Sequence, residues 1–260
     1  LDACMQGAVP ATMARRNRPS LRILSAACAS GEEPYSLAIL LRECWPALAP
    51  HARIAGVDIN QAMLQRARRA RYSAWSLRET PPAWKQRYFR KDRDEFVLEE
   101  SIRTAVSFEA INLVEPDATQ LSQASYDIVF CRNALMYFTP EQFARAVGRL
   151  AHALVPGGFF FLGHAETLRG VSQDFHLCHS RDAFYYQRKE GPLRSRYPTP
   201  PQEIEIGVAS DSHAQPPLDD GWFDAITQSS GRVNALHARP PPSPLLESTE
   251  PMATNRHSQL

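Results

Sequence analysis

Residue types able to engage a ligand gather in four short stretches of this chain, each at the end of an apolar run. The first is Ala29-Ser30-Gly31-Glu32-Glu33-Pro34-Tyr35-Ser36. Gly31 lets the backbone pass close to a ligand, and Pro34 suits the first turn of a helix. A glycine turn of this kind often holds a pyrophosphate, but the carboxylates of Glu32 and Glu33 would repel one, and no GxGxxG is present. A cationic sulfonium that also carries an ammonium group tolerates both acids. The second stretch ends at Asp58, which lies 27 residues past Gly31. Doubly wound folds place an acid there to accept hydrogen bonds from ribose hydroxyls. Asn60 is better placed to cap the next helix, which leaves the Asp58 carboxylate for a ligand.

Asn112 and Leu113 form the third stretch, an amide beside an apolar side chain that suits hydrogen bonding to, and packing against, an adenine-like ring. The fourth is Cys131-Arg132-Asn133-Ala134-Leu135-Met136-Tyr137-Phe138, where an Arg, an Asn and a Tyr fall within six residues. It is the most site-like cluster of the chain, although Tyr137 also fits as a half-buried aromatic next to a core Phe138. The five cysteines are widely spaced and contain no CxxC pair, so they read as reduced core thiols and no metal site is expected.

The elements that must carry these stretches alternate between Leu21 and Arg188 as short apolar runs and amphipathic segments, the pattern of an α/β fold with a mostly parallel, doubly wound sheet. Strands are expected at 21–29, 53–58, 105–113, 126–131, 159–163 and 183–187. Thr139-Pro140-Glu141-Gln142 reads as a capping box opening a helix that buries Phe143, Val147, Leu150 and Leu154, and Pro156-Gly157-Gly158 as its end. Asn60 caps a helix through Met63, Ala67 and Ala70. Ligands of open parallel sheets bind outside the carboxyl ends of the strands, where all four stretches fall. Residues 76–104, with Pro81-Pro82, Trp84 to Phe89 and Phe96-Val97-Leu98, break the alternation and read as a small inserted β-subdomain.

With 260 residues and 43% hydrophobic content, the chain is long enough for one well-buried domain, expected over 21–190. The 29 basic and 28 acidic residues leave a net charge of +1, which gives no global reason to expect nucleic-acid or membrane binding. No apolar run reaches the ~20 residues of a spanning helix and no secretory leader is seen, so direct membrane insertion is not expected and the cytoplasm is the default. The start at Leu1 suggests a fragment in which 1–20 are a truncated lead-in. From Pro192 onward the sequence holds eleven of the 21 prolines and no lysine, so 191–260 read as a Pro-rich disordered linker or tail.

Taken in order, Ala26-Ala27-Cys28-Ala29-Ser30-Gly31-Glu32-Glu33-Pro34-Tyr35-Ser36, Val57-Asp58-Ile59, Asn112-Leu113, Phe130-Cys131-Arg132-Asn133, Tyr137-Phe138, Gly157-Gly158 and Gly163-His164-Ala165-Glu166 resemble the CheR family of chemoreceptor protein-glutamate O-methyltransferases. The resemblance runs from about Leu21 to Arg188 and implies a Rossmann-like, S-adenosylmethionine-dependent methyltransferase fold. It implies that Gly31, Glu32, Glu33, Asp58, Asn112, Leu113, Cys131, Arg132 and Asn133 bind S-adenosylmethionine, and its product S-adenosylhomocysteine. Tyr137 would stand beside the transferring methyl, with Arg132 as the second catalytic candidate. The acceptors would be glutamates in the cytoplasmic domain of methyl-accepting chemoreceptors. Family members begin with a helical domain whose Phe-Phe-Arg segment reaches the donor, and this sequence lacks it. Members that dock on a receptor pentapeptide carry a glycine in the inserted hairpin, and Arg90-Lys91-Asp92-Arg93-Asp94-Glu95-Phe96 has none, which argues against tethering.

Methyl transfer to a carboxylate needs no general base, because the nucleophile, with an ordinary pKa of ~4.3, is already ionised at neutral pH. The lack of a Ser-His-Asp set or a poised His-carboxylate pair therefore does not count against catalysis. His164 reads as structural, and the run Arg66-Ala67-Arg68-Arg69-Ala70-Arg71 as a solvated helix face or a surface for acidic receptor helices. Two other readings stand beside this one. A nucleic-acid amino-methyltransferase would need Pro-Pro beside its strand-end Asn, where Ala134-Leu135 follows here, and a non-catalytic methyltransferase-like scaffold would act through the tail.

Overall fold

The computed structural model describes residues 2–15, 20–115, 121–180 and 183–193, so the Pro-rich stretch from 194 onward lies outside the described residues. In chain order the elements are α1 (Asp2–Arg15), β1 (Leu21–Ala26), α2 (Glu32–Cys44), β2 (Ala52–Asp58), α3 (Gln61–Arg69), β3 (Arg71–Ser73), α4 (Pro82–Tyr88), β4 (Phe89–Asp92) and β5 (Glu95–Leu98). They continue with α5 (Glu100–Arg103), β6 (Val106–Ala110), β7 (Tyr126–Cys131), α6 (Pro140–Ala153), β8 (Leu154–Leu162), β9 (Phe175–Ser180) and β10 (Ala183–Arg188).

Seven strands form one sheet in the order β6-β2-β1-β7-β8-β10-β9. Pairing is parallel from β6 to β8, and β10 runs antiparallel to both β8 and β9. The apolar runs at β1 and β7 are buried on both faces of the sheet, which is why they lack alternation. One face is covered by α1 and α2, with Met5, Val9, Leu37, Leu41 and the stacked rings of Phe130 and Phe161 (4.8 Å between centroids) in its core. The other is covered by α6, through Ala146, Val147 and Leu150.

The Thr139 capping box is present, with both of its hydrogen bonds made, and Asn60 caps α3 by accepting from the N–H groups of Ala62 and Met63. The end of α6 differs from expectation. The helix stops at Ala153, and β8 runs straight through Pro156-Gly157-Gly158. Tyr126 pairs with Leu154 and Ile128 with Phe159, so five steps along β8 match two along β7, and Gly157 takes a φ of 68° in the irregularity. A left-handed glycine serves a helix stop and a β-bulge equally well, and the sequence alone does not distinguish them.

The lead-in forms α1, which buries Met5, Ala8, Val9 and Thr12 and lays Arg15 onto the Pro156 carbonyl at 2.7 Å. β9 was not foreseen, because an edge strand paired on one side carries polar residues such as His176 and His179 in place of an apolar run. The insertion is a three-stranded antiparallel sheet in the order β3-β5-β4. It begins at Arg71, ahead of Ser76, and Arg71 joins its strands by contacts of 2.8 Å to Asp92 and 2.8 Å to Glu95.

Candidate active site

The loop between β1 and α2 is built from alternating left-handed residues: Ala27 at φ 55°, Ala29 at φ 45° and Gly31 at φ 86°. Each non-glycine residue in that region costs ~1–2 kcal/mol, so the loop needs outside support. Cys28 donates its N–H to the Val57 carbonyl (3.0 Å), Ala29 donates to Asp58 Oδ2 (2.8 Å), and Gly31 donates to the Cys28 carbonyl (2.9 Å). The Tyr72 hydroxyl, from the inserted subdomain, donates to the Ser30 carbonyl at 2.9 Å. Gly31 is required here by packing as well as by φ. A Cβ on it would stand 2.9 Å from the Ala67 Cβ and 3.1 Å from the Phe108 ring, so its α-carbon faces α3 and β6.

Asp58 is therefore a brace before it is anything else. Oδ2 takes the Ala29 N–H and Oδ1 the Asn60 N–H (2.8 Å), yet the side chain stays partly exposed with lone pairs to spare. Its neighbour Ile59 is 67% exposed, an apolar surface beside a carboxylate. Ile111 donates its N–H to the Asp58 carbonyl (3.0 Å), which brings Asn112 alongside. Asn112 is half-buried and accepts the Val114 N–H at 3.1 Å. The side chains of Leu113 and Cys131 are closed into the core, so only their backbone reaches the strand ends.

Glu33 and Arg132 meet from neighbouring strand ends. Ser25 Oγ donates to Glu33 Oε1 at 2.8 Å, and Arg132 Nη1 lies 3.3 Å from Oε2. Burial raises the Glu33 carboxyl above the ordinary carboxylate range, and the bonds from Ser25 and Arg132 only partly oppose it. Glu32 is exposed and bonds Ser30 Oγ. The Cys28 thiol is pushed up to about 12 by burial and then by the Asp58 charge, so it is a neutral packing group. A cavity of about 410 Å³ opens between α2 and the inserted subdomain, with Glu32, Tyr72, Trp84 and Arg132 in its walls. A larger hollow of about 630 Å³ lies at the amino ends of β2 and β6 and touches none of the predicted site residues.

The stretch after β7 bends through Asn133, at φ 58°, into a single 3-10 turn at Leu135–Tyr137. Tyr137 is 78% exposed at the rim. On α3, Arg66 and Arg69 are exposed, and Arg68 donates to the Phe108 carbonyl at 2.8 Å. Residues 1–184 match the family model described as the SAM-binding domain of CheR methyltransferases. The chain belongs to the CheR methyltransferase family.

Among curated CheR relatives, chemotaxis protein methyltransferase 2 of Vibrio cholerae serotype O1 is 36% identical over 68% of this chain and 62% of its own. The chemotaxis protein methyltransferase of Vibrio parahaemolyticus is 32% identical, over 66% and 64%, and chemotaxis protein methyltransferase 2 of Pseudomonas aeruginosa 37%, over 64% and 59%. The match thus takes in less than two thirds of each of these CheR proteins. A solved magnesium protoporphyrin IX methyltransferase from Synechocystis PCC 6803 is 19% identical over 72% of this chain and 76% of that one, with a TM-score of 0.38, too remote to inform function.

In this CheR domain the residue that sequence reasoning passed over as a site element is Glu166. Its Oε1 accepts N–H groups from Ala134 (3.0 Å), Leu135 (2.8 Å) and Met136 (3.3 Å). Its Oε2 accepts those of Asn133 (3.0 Å) and Gly163 (2.7 Å). The only signal was the strand-end run Gly163-His164-Ala165-Glu166, whose histidine draws attention first, although His164 is exposed and Glu166 buried.

Proposed function

We propose that this chain transfers the methyl group of S-adenosylmethionine to glutamate side chains in the cytoplasmic domain of chemoreceptors, forming glutamyl methyl esters. The observation that carries the reading is that β6, β2, β1 and β7 are neighbours and end in Asn112, Asp58, the Ala27–Gly31 loop and Arg132–Tyr137. A nucleoside with a positively charged tail fits that set. Asp58 has lone pairs left for ribose hydroxyls, Ile59 and Asn112 offer an apolar face and an amide to the base, and Glu32 and Glu33 suit an ammonium group where a phosphate would be repelled. Gly31, Leu113, Cys131, Arg132 and Asn133 complete the pocket, Leu113 and Cys131 by backbone atoms. S-adenosylmethionine supplies an electrophilic methyl on its sulfonium when bound.

The chain's own task is then to seat an already ionised carboxylate in line with that methyl and to remove its water, which accounts for much of the barrier reduction without a proton transfer. Tyr137 directs the incoming carboxylate by donating its phenolic hydrogen, with Arg132 as the second catalytic candidate. Tyr137→Phe lowers turnover about tenfold, since one hydrogen bond is worth ~1–1.5 kcal/mol, and leaves donor affinity unchanged. Steady-state kinetics with a receptor fragment check this, and an unchanged turnover removes Tyr137 from the mechanism.

Glu33 makes donor binding sensitive to pH. Its carboxyl takes a proton above the usual range, so acidification removes, sooner than for an ordinary carboxylate, a negative charge that would face the donor's ammonium. Affinity for S-adenosylhomocysteine falls as the pH is lowered from about 7.5 towards 5, by at most ~10-fold per pH unit for one group. The sign for folding is opposite, since a carboxyl whose folded pKa is raised adds stability as the pH falls, so Glu33 weakens binding without itself weakening the fold. Calorimetric titrations give the profile, and Glu33→Gln flattens it. The whole reading is tested by donor binding, followed by transfer of tritiated methyl groups to chemoreceptor cytoplasmic fragments. No affinity for S-adenosylmethionine or S-adenosylhomocysteine in a folded sample defeats it.

A further inference from the structure

Four consecutive N–H groups, from Asn133 to Met136, converge on a single carboxylate that is only 9% exposed. The opening N–H groups of a helical turn have no partner inside it, and here Glu166 is what they find. We infer that Glu166 is a positioning residue for the acceptor side of the site, holding 133–136 in the conformation that presents Tyr137. For the role of Tyr137 the inference rests on the methyl-transfer reading, and for the clamp it does not.

Three further observations point the same way. Tyr137 is 78% exposed, so its direction is set by the turn beneath it, closed by its N–H to the Ala134 carbonyl at 3.2 Å. Asn133 sits at φ 58°, a region Asn tolerates but does not prefer, and its N–H bond to Oε2 selects it. Gly163 leaves the carboxylate its space, since a Cβ there would lie 2.8 Å from Glu166 Oε2 and 2.9 Å from the Asn133 nitrogen. With five N–H groups on two oxygens, Glu166 has no lone pair left to act as acid or base.

Glu166→Gln keeps the shape but aims an NH2 group at two or more N–H donors whichever way the amide turns. In the full chain, amide exchange at 133–136 speeds up by about tenfold or more while β1 and β7 keep their protection. Turnover on a receptor fragment falls about tenfold. In a Tyr137→Phe background the same change costs less than about threefold, because the orientation is already lost. Gly163→Ala drives a methyl into the same oxygen and gives the same pattern, which covers a Glu166→Gln chain that does not fold. Unchanged exchange at 133–136 in either folded variant, or a turnover loss that is the same with and without the Tyr137 hydroxyl, overturns the inference. The exchange measurement needs neither donor nor receptor, so a wild-type chain without methyl transfer cannot be mistaken for a failed clamp.

Discussion

Asp58→Asn weakens the binding of S-adenosylhomocysteine by about 100-fold. A carboxylate makes charge-assisted hydrogen bonds to two vicinal hydroxyls, each worth ~1.5–3 kcal/mol, and the amide retains at most one uncharged acceptor. Losing ~3 kcal/mol corresponds to roughly two factors of ten in Kd. The same change also strikes the loop. Asp58 Oδ2 holds the Ala29 N–H and Oδ1 the Asn60 N–H, and one of the two must now face an NH2 group. Where the NH2 faces Ala29, that residue at φ 45° loses the bond that offsets its strain and the β1–α2 turn loosens where a ligand would sit. Calorimetry measures the affinity. Asn60→Ala is the control, because it removes a helix cap at a cost of ~1 kcal/mol while leaving the carboxylate in place. A Kd for Asp58→Asn within about threefold of wild type would remove the sugar contact from the account.

Gly31→Ala costs about 3 kcal/mol of stability, made of two parts that separate experimentally. A Cβ at φ 86° carries ~1–2 kcal/mol of strain by itself. The same atom lies 2.9 Å from the Ala67 Cβ, on a rigid helix, which adds ~1–3 kcal/mol of overpacking. For a domain of this size the midpoint of thermal unfolding drops by roughly 6–12 °C. Ala67→Gly makes room for the new methyl, so the double variant recovers the packing part but not the strain, when compared with Ala67→Gly alone. A loss under about 1 kcal/mol for Gly31→Ala refutes both parts. No rescue by Ala67→Gly leaves strain and the contact with the Phe108 ring as the cause.

The legible part of this protein follows from periodicity and capping, both of which act over a few residues. β1 and β7 were readable because central parallel strands are buried on both faces and appear as apolar runs, and α6 because Thr139 and Gln142 cap it reciprocally. The placement of Asp58 and Arg132–Tyr137 at strand ends, where open sheets bind, was readable because they follow such strands. β3 and β9 were not, since short or edge strands hold few apolar residues and are specified by partners distant in sequence. Gly31 was readable as a place where the backbone can approach a ligand, but not as the point where its α-carbon packs against Ala67 and Phe108, which tertiary contacts decide.

The amino-acid sequence by itself determined which residues stand at the ends of the central strands, because hydrophobic period and helix caps are local properties of the chain. Only the tertiary structure decided what those residues hold: Asp58 bracing Ala29, Glu33 meeting Arg132, and Glu166 gathering the N–H groups of 133–136. Each of those contacts joins segments 29 to 99 residues apart. A carboxylate states in sequence that it needs donors, and the fold alone determines which donors reach it.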